Sequence, residues 1–250
     1  MHPPVEIQDR SAYKRKMNEL IVIDKKRTVF LTIDMQNDYL DMAVATAPVA
    51  ADEAKRVRNH ARSLLTWARA AGFPVVHAYV KRRPLEVERR VVSDAVFGAS
   101  ERAGLSQNAQ APARTRPDRI DGTPQAEIPA ELVASTDFHV TTKRVLDAFH
   151  GTDLDMLLSR VLEAQTLVVA GINTDTCVYS TVLSAGNRGY QPIVVSDCVA
   201  SMRGIDQHWM ALELMSRSVA WVMTVDEVKA KIDAANQGMI SSRSLLAGAI

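Results

Sequence analysis

The stretch Thr166–Gly189 constrains the fold of this chain more than any other, because it has the pattern of a buried strand, a tight turn and a helix. Leu167–Ala170 is a short apolar run, which is typical of a strand buried on both faces of a parallel sheet. Gly171 then allows the backbone to turn, and apolar residues at helical spacing continue until Gly189, a residue suited to end a helix. The pattern predicts that Cys177 stands at the start of this helix.

A cysteine at a helix start has the chemistry of a nucleophile. Unpaired N–H groups and the positive end of the helix dipole favour the thiolate, and the same N–H groups can hold a developing oxyanion. A lone cysteine is more often a small buried apolar residue. A catalytic role for Cys177 therefore requires partners elsewhere in the chain.

The rest of the chain alternates strands with helices, which predicts a parallel sheet covered by helices on both faces. A helix over residues 49–71 carries Ala, Val, Leu and Trp on one side, and further helices follow the third, fourth, fifth and sixth strands. In the last of these, Thr224 and Glu227 are spaced as a capping box. The expected strands besides 167–170 are Arg27–Met35, Phe73–Val80, Asp137–Thr142, Pro192–Ser196 and Ala220–Met223.

Two charged residues stand at the ends of strands, as Cys177 does. Asp34 comes at the end of the first strand and Lys143 directly after the third. Each has an ordinary explanation, because Asp34 can cap a turn and Lys143 can be a solvated charge. Open α/β sheets, however, place their sites at the carboxyl edge. We therefore expect Asp34, Lys143 and Cys177 to share one crevice.

Length and charge indicate one soluble domain that acts on a small molecule. The chain has 250 residues, 47% of them hydrophobic, and a formal net charge of +1, which gives no electrostatic case for a nucleic acid or a membrane partner. Two cysteines without paired spacing fit a reducing compartment and argue against a Cys-x-x-Cys redox protein. With no apolar leader or membrane-length run, we expect a cytoplasmic protein.

We expect a single domain over residues 27–250, preceded by a polar arm over residues 1–26. Residues 81–129 are charged and irregular, which predicts a lid or a subunit contact. Four arginines there suit either a solvated charged face, the commoner use of such a run, or the binding of a substrate carboxylate: Arg82, Arg83, Arg89 and Arg90.

Three segments in this order resemble the isochorismatase-like cysteine hydrolases: IDMQNDYL at 33–40, TTKRVLDAFHGTDLDMLL at 141–158 and VVAGINTDTCVYSTVLSAGNRGY at 168–190. The resemblance spans residues from about 27 to 228. It implies a Rossmann-like three-layer α/β/α fold with a six-stranded parallel sheet, and a triad of Asp34, Lys143 and Cys177. It also implies a cis peptide between Ile172 and Asn173, with an oxyanion hole formed by the N–H groups of Asn173 and Cys177.

With those residues in place, chemistry assigns their roles. Lys143 and the helix terminus are expected to lower the pKa of the thiol, Asp34 to take its proton, and Cys177 to attack a carbonyl carbon. The resemblance therefore implies an amidohydrolase that cleaves the C–N bond of a small amide, ureide or carbamoyl compound through a thioester. Alternatives are a nicotinamide- or maleamate-type amide, an ester, a vinyl ether, or a non-catalytic binding protein with this fold. Relatives are oligomers, so we expect a homo-oligomer, either a dimer or a tetramer.

No cofactor is expected, and no metal. The metal-binding branch of the superfamily carries an Asp-x-His motif and a further His after the first helix, whereas this chain offers only His60 and His77 there. The segment from Phe149 to Thr152 resembles the carbamoyl and ureido amidases. Asp147, where relatives often carry serine, is a departure from the pattern. Cys198, after the fifth strand, is expected to be structural.

Four further residues are candidates for substrate binding. Gln36 and Asn37 suit hydrogen bonds to a substrate amide as well as they suit capping of a turn. Tyr39 and Phe149 suit stacking beside the pocket, although aromatic residues more commonly belong to the core.

Overall fold

A six-stranded parallel sheet forms the centre of the protein, as the sequence predicts. The computed structural model describes residues 8–89, 95–109 and 119–235. The strand order is β3-β2-β1-β4-β5-β6, and every neighbouring pair is parallel. The strands are β1 Thr28–Ile33, β2 Val75–Ala78, β3 Phe138–Val140, β4 Thr166–Ile172, β5 Gln191–Ala200 and β6 Trp221–Met223.

Helices cover both faces of this sheet. They are α1 Ser11–Leu20, α2 Asn37–Leu40, α3 Ala51–Ala70, α4 Pro84–Glu88, α5 Ala95–Arg102, α6 Leu154–Met156, α7 Tyr179–Asn187, α8 Ile205–Ser218 and α9, residues 225–235. Short 3₁₀ turns occupy Lys25–Arg27, Pro124–Ala126 and Ala130–Leu132, while π-helical turns occupy Leu157–Val161 and Thr174–Val178. In α9 the predicted capping box is present, with hydrogen bonds of 2.7 and 3.2 Å between Thr224 and Glu227.

Two hydrophobic cores, one on each face of the sheet, give the three-layer α/β/α architecture. Alternate residues of β1 enter different cores: Phe30 belongs to the core that includes residues of α3 and α9, whereas Leu31 belongs to the core that includes residues of α6, α7 and α8. All six residues of β1 and all seven of β4 are buried, which explains their nearly continuous apolar sequences. Burying each large apolar side chain contributes about 1.5–3 kcal/mol.

The strand order reverses between β1 and β4, and α/β folds bind their ligands at such a point. Gly171 of β4 allows the two strands to approach there, because a Cβ at this position would clash with the carbonyl oxygen of Ile33. Asp34 follows β1 directly, and its backbone adopts a left-handed conformation with φ of 47°. The chain thus turns sharply out of β1 at the residue expected to act in catalysis.

The described part of the N-terminal arm lies on its own chain. Helix α1 packs against β6, where the Asn18 side-chain amide donates to the carbonyl of Val222 at 3.0 Å. The Trp221 ring N–H donates in return to the carbonyl of Met17, also at 3.0 Å. Residues 1–7 lie outside the described ranges. In those ranges, no helix is both long and apolar enough to cross a membrane.

Two local expectations were wrong. Strand β5 runs to Ala200 instead of ending at Ser196, so Cys198 lies within a strand and is fully buried. The segment after β4 begins with the π-helical turn Thr174–Val178, so Cys177 is the fourth residue of that turn, not its first. Both differences arise because side-chain patterning shows which residues are buried but not where backbone hydrogen bonding begins or ends.

Candidate active site

Three buried side chains meet at the carboxyl edge of the sheet. The Lys143 ammonium donates to Asp34 Oδ2 at 2.6 Å and lies 3.5 Å from Cys177 Sγ. Asp34 and Lys143 are each 1% exposed, and Cys177 is 7% exposed. The second carboxylate oxygen, Asp34 Oδ1, is buried and accepts no hydrogen bond in the described part of the chain. The structure therefore brings together the acid, the ammonium and the thiol predicted from the sequence.

Two opposing effects act on the pKa of the Cys177 thiol. Burial raises the pKa of the Cys177 thiol to about 11, and the negative charge of Asp34 acts in the same direction. Lys143 and Arg119 act to lower the pKa of the thiol but do not outweigh burial. For Lys143, burial alone would lower the pKa, but the charge and hydrogen bond of Asp34, together with Cys177 and Tyr39, outweigh burial and raise the pKa. Lys143 thus acts on the thiol pKa in the direction expected from the sequence, and burial, which the sequence does not reveal, outweighs it.

The turn that carries Cys177 is fixed by hydrogen bonds from two other segments. The Ile172–Asn173 peptide bond before it is cis, the geometry implied by the family resemblance. The Asn173 side-chain oxygen accepts from the Met202 N–H at 2.8 Å, and Thr174 Oγ1 shares a 2.8 Å hydrogen bond with His208 Nδ1 of α8. The position of Cys177 therefore depends on the loop after β5 and on α8.

A pocket of about 370 Å³ opens above the three side chains. Its walls come almost entirely from segments that follow strand ends. They comprise Tyr39, Val80 and Arg82, then Val96, Gln107 and Arg119 from the 81–129 region, then the segment Lys143–Leu146, and finally Asn173, Thr176, Met202 and Arg203. The volume suits a small molecule.

The four predicted substrate-binding residues have different locations. Tyr39 lines the pocket. Gln36 is fully buried outside the pocket wall, where its side-chain amide donates to the carbonyls of Val80 and Ala126 at 2.8 and 2.7 Å.

The other two are also outside the described pocket wall. The Asn37 side chain donates to the carbonyl of Pro124 at 3.1 Å, so it supports the loop beside the site. Phe149 is buried in the core and stacks on Tyr190, with ring centroids 5.8 Å apart. These two residues hold the surrounding structure together.

Sequence reasoning missed three basic residues of the pocket wall and undervalued a fourth. Arg119, Arg144 and Arg203 line the pocket. Arg82 also lines it, although the sequence favours a solvated charged face over substrate binding for this residue. The side chain of Arg83, by contrast, is 74% exposed, Arg89 is also exposed, and Arg90 lies outside the described residues. No local pattern marks Arg119 or Arg203, because both are placed by contacts between distant loops.

The two histidines considered as metal ligands lie apart from the pocket. His60 hydrogen-bonds to the Arg56 carbonyl within α3. His77 is fully buried between Thr32 and Asp137. Over residues 8–89, 95–109 and 119–235, no group of three or more His, Cys, Asp and Glu side chains is arranged to hold a metal ion.

Comparison with known proteins connects this geometry to a family. The isochorismatase domain matches residues 28–227. The uncharacterized isochorismatase family protein YecD of Escherichia coli O157:H7 is 28% identical over 209 residues, covering 84% of this chain and 98% of that protein. The ureidoacrylate amidohydrolase RutB of Methylorubrum extorquens is 31% identical over 194 residues, which is 72% of each chain.

Among solved structures, the N-carbamoylsarcosine amidase of Thermoplasma acidophilum is 27% identical to this chain, with a TM-score of 0.59. The match covers 80% of this chain and 97% of that one. The chain therefore belongs to the isochorismatase family, and it is a hydrolase of that family with the predicted three-layer α/β fold.

Proposed function

We propose that this protein is a cysteine amidohydrolase that cleaves the C–N bond of a small amide, ureide or carbamoyl compound through a thioester. The main observation in favour is that the Cys177 thiol and the Asp34 carboxylate share the Lys143 ammonium at the base of a pocket. A nucleophile and a base that both contact one cation are the groups that acyl transfer requires.

The resting protonation states suggest the first step. Because the thiol pKa is about 11, the nucleophile is protonated near neutral pH and must lose its proton as it attacks. Asp34 is the acceptor, with the buried Oδ1 able to take the proton. Sγ then forms a bond to the carbonyl carbon, and the carbonyl π electrons move onto oxygen. Lys143 stabilises the negative charge that passes from Asp34 to the tetrahedral intermediate.

Backbone donors beside the sulfur complete this step. We assign the oxyanion to the N–H groups of Asn173 and Cys177. In support, Asn173 lines the pocket, and its N–H donates no hydrogen bond among the described residues. Losing one such donor typically lowers kcat by ~10²–10³-fold.

Collapse of the intermediate breaks the C–N bond. The protonated Asp34 returns its proton to the leaving nitrogen, so that ammonia or an amine departs and a thioester remains on Cys177. Asp34 then accepts a proton from water, whose oxygen attacks the thioester and releases the acid or carbamate. The proton finally returns to the thiol, which restores the resting state.

The substrate class is proposed from the site and from related proteins. Relatives include proteins named ureidoacrylate amidohydrolase, maleamate amidohydrolase and N-carbamoylsarcosine amidase. A pocket of about 370 Å³ has room for compounds of that size. Cleavage of a vinyl ether needs no thiol nucleophile, and an unreactive binding protein needs no buried acid–ammonium pair. Both alternatives therefore leave the cluster unexplained.

An ammonia-release screen tests the proposal. Ureides, carbamoyl amino acids, biuret, maleamate and nicotinamide are incubated with the wild-type protein, with Cys177→Ala and with Cys198→Ala. We expect turnover by the wild type and by Cys198→Ala, and a loss of roughly 10⁴-fold or more in Cys177→Ala. Equal release by the Cys177→Ala variant, or no release from any compound, would contradict the assignment.

We further propose that the protein is cytoplasmic and forms a homo-oligomer. Both cysteines are unpaired, which suits a reducing compartment. Helix α8 exposes two large apolar side chains one turn apart on the same face, as an interface between copies would require: Ile205 and Trp209, each more than half exposed. Light scattering of the wild type and of Trp209→Glu tests this, with a shift toward monomer expected in the variant.

A further inference from the structure

A buried guanidinium forms part of the pocket wall. Arg119 is only 7% exposed, yet it lines the same pocket as Cys177. Its Nη1 donates to the Tyr39 hydroxyl, and its guanidinium lies over the Tyr39 ring, 5.0 Å from the centroid. The Asp38 carboxylate lies behind it, 3.8 Å from Nε. These contacts hold the guanidinium in one orientation at the pocket surface.

The pairing of two distant loops brings Arg119 to this place. The Arg82 N–H donates to the Arg119 carbonyl at 2.8 Å, and the Asp121 N–H donates to the Arg82 carbonyl at 2.9 Å. This short parallel bridge, between Arg82 and Ile120, extends from the end of β2. It places Arg82 and Arg119 side by side along the pocket.

The charges that face the pocket are mostly positive. Among the described residues that line the pocket, one is acidic, Asp34, and it is paired with Lys143. Five are cationic: Arg82, Arg119, Lys143, Arg144 and Arg203. The carboxylates of Asp38, Glu86 and Asp175 contact these arginines but are not part of the wall. A solute in the pocket therefore meets guanidinium groups, in a partly desolvated site that strengthens attraction to an anion.

We propose that Arg119, oriented by Tyr39, binds a carboxylate of the substrate, so that the substrate is an amide, ureide or carbamoyl compound with a carboxylate beyond the scissile C–N group. This inference rests on the proposed amidohydrolase function. A guanidinium presents a planar fork that matches a carboxylate with two parallel hydrogen bonds. Anchoring the far end of the substrate places the carbonyl carbon over Cys177 Sγ, and such positioning raises the rate of attack.

Matched substrates that differ in charge test this role. N-carbamoylglycine and its methyl ester are compared by ammonia release in the wild type, Arg119→Met, Arg119→Lys and Tyr39→Phe. We expect Arg119→Met to lower kcat/KM for the carboxylate by roughly 10- to 100-fold, mainly through KM, with little change for the ester. We expect Arg119→Lys and Tyr39→Phe to show intermediate losses, because each keeps a cation without its orientation.

Controls separate substrate binding from folding. Arg188→Met, which removes an arginine outside the described pocket wall, is expected to leave both substrates unaffected. The melting temperature of each variant shows whether the fold survives. An equal loss for carboxylate and ester in a folded Arg119→Met protein would overturn the proposal, as would no loss for either.

A binding measurement distinguishes failure of this inference from failure of the amidohydrolase assignment. Calorimetric titration of Cys177→Ala with N-carbamoylglycine requires no turnover. We expect binding that Arg119→Met in the same background weakens by a similar factor, about 10- to 100-fold. If binding depends on Arg119 but the wild type releases no ammonia, only the proposed reaction is refuted. If the wild type releases ammonia but binding does not depend on Arg119, only the proposed carboxylate subsite is refuted.

Discussion

Two buried polar clusters lie on the same sheet and differ in access and in hydrogen bonding. The pocket cluster consists of Asp34, Lys143 and Cys177. The sealed cluster consists of Thr32, His77 and Asp137 with the partly exposed Arg69 at its edge, and in it His77 bonds to Thr32 Oγ1 at 2.6 Å and to Asp137 Oδ2 at 3.0 Å. The sealed cluster thus has the hydroxyl, imidazole and carboxylate of a hydrolase triad, but none of its residues lines the pocket above Cys177.

Hydrogen-bond satisfaction separates the two clusters. Both oxygens of Asp137 are occupied, by Arg69 at 2.9 and 2.6 Å, by His77, and by the Ala134 N–H at 2.7 Å. Asp34, in contrast, keeps one buried oxygen without a hydrogen bond among the described residues. A fully bonded network rigidifies a fold, whereas an unsatisfied acceptor beside a cavity is available for a proton. Residue types alone would not have distinguished them.

Among variants that compare the two clusters, the largest expected effect comes from removing the cation of each. Lys143→Met is expected to reduce kcat roughly 10³-fold, because no ammonium then stabilises the charge that develops at the sulfur and the substrate oxygen. Arg69→Met is expected to lower the melting temperature while kcat changes little. Steady-state kinetics on folded protein, with melting curves of both variants, provide the measurement. A large drop in kcat for Arg69→Met would mean that the sealed cluster also serves catalysis.

Loss of the sealed carboxylate is expected to cost stability. Burial alone would raise the pKa of Asp137, but hydrogen bonds from His77 and Arg69 outweigh it and hold the pKa below the usual range. Asp137→Asn should reduce the free energy of unfolding by about 3 kcal/mol near neutral pH. Denaturant titration measures this difference.

The pH dependence of stability follows from the lowered pKa. A carboxyl group with a depressed pKa in the folded state contributes its full stability above the unfolded value, about 3.9, and loses it as the pH falls toward the folded value. The wild type should therefore lose stability below about pH 4 more steeply than Asp137→Asn. If the free energy of unfolding fell equally with pH in the two proteins, the pKa of Asp137 would not be lowered in the folded state.

Two buried threonine–histidine pairs offer a matched test with a smaller effect. Thr174 bonds to His208 beside the Cys177 turn, and burial lowers the pKa of His208 to about 4, so its imidazole is neutral at pH 7. Thr174→Val should lower kcat roughly 10- to 100-fold, because the proposed oxyanion donor next to it, the Asn173 N–H, shifts. Thr32→Val should affect the melting temperature but not kcat. Equal kinetic effects would indicate that neither pair positions the turn.

The smallest expected effect is on thiol reactivity. Because the Asp34 charge helps to raise the pKa of Cys177, Asp34→Asn should react with iodoacetamide about 3- to 10-fold faster than the wild type at pH 8, while amide hydrolysis is lost. A Cys198→Ala background ensures that only Cys177 reports. Slower alkylation in Asp34→Asn would mean that the carboxylate activates the free thiol as well as the bound one.

The sequence predicted the residues of the pocket cluster, but it did not predict most of the residues that form the pocket wall. Asp34, Lys143 and Cys177 were identifiable because each follows an apolar strand, and parallel strands end at one edge. Arg119 was not, because the bridge between Arg82 and Ile120 joins loops whose sequences show no periodicity. The location of Gln36 could not be predicted for a related reason, since nothing local shows that its amide donates to the carbonyls of Val80 and Ala126.

By itself, the sequence determined the order of strands and helices, the sheet they form and the edge where the reactive groups gather, because apolar periodicity and chain connectivity act locally and limit the topology. Tertiary structure alone decided which buried polar cluster lines the pocket, how far burial raises the pKa of the Cys177 thiol, and which arginines line that pocket. Those properties depend on packing between segments far apart in the chain, and charge and solvation respond to that packing and not to residue order.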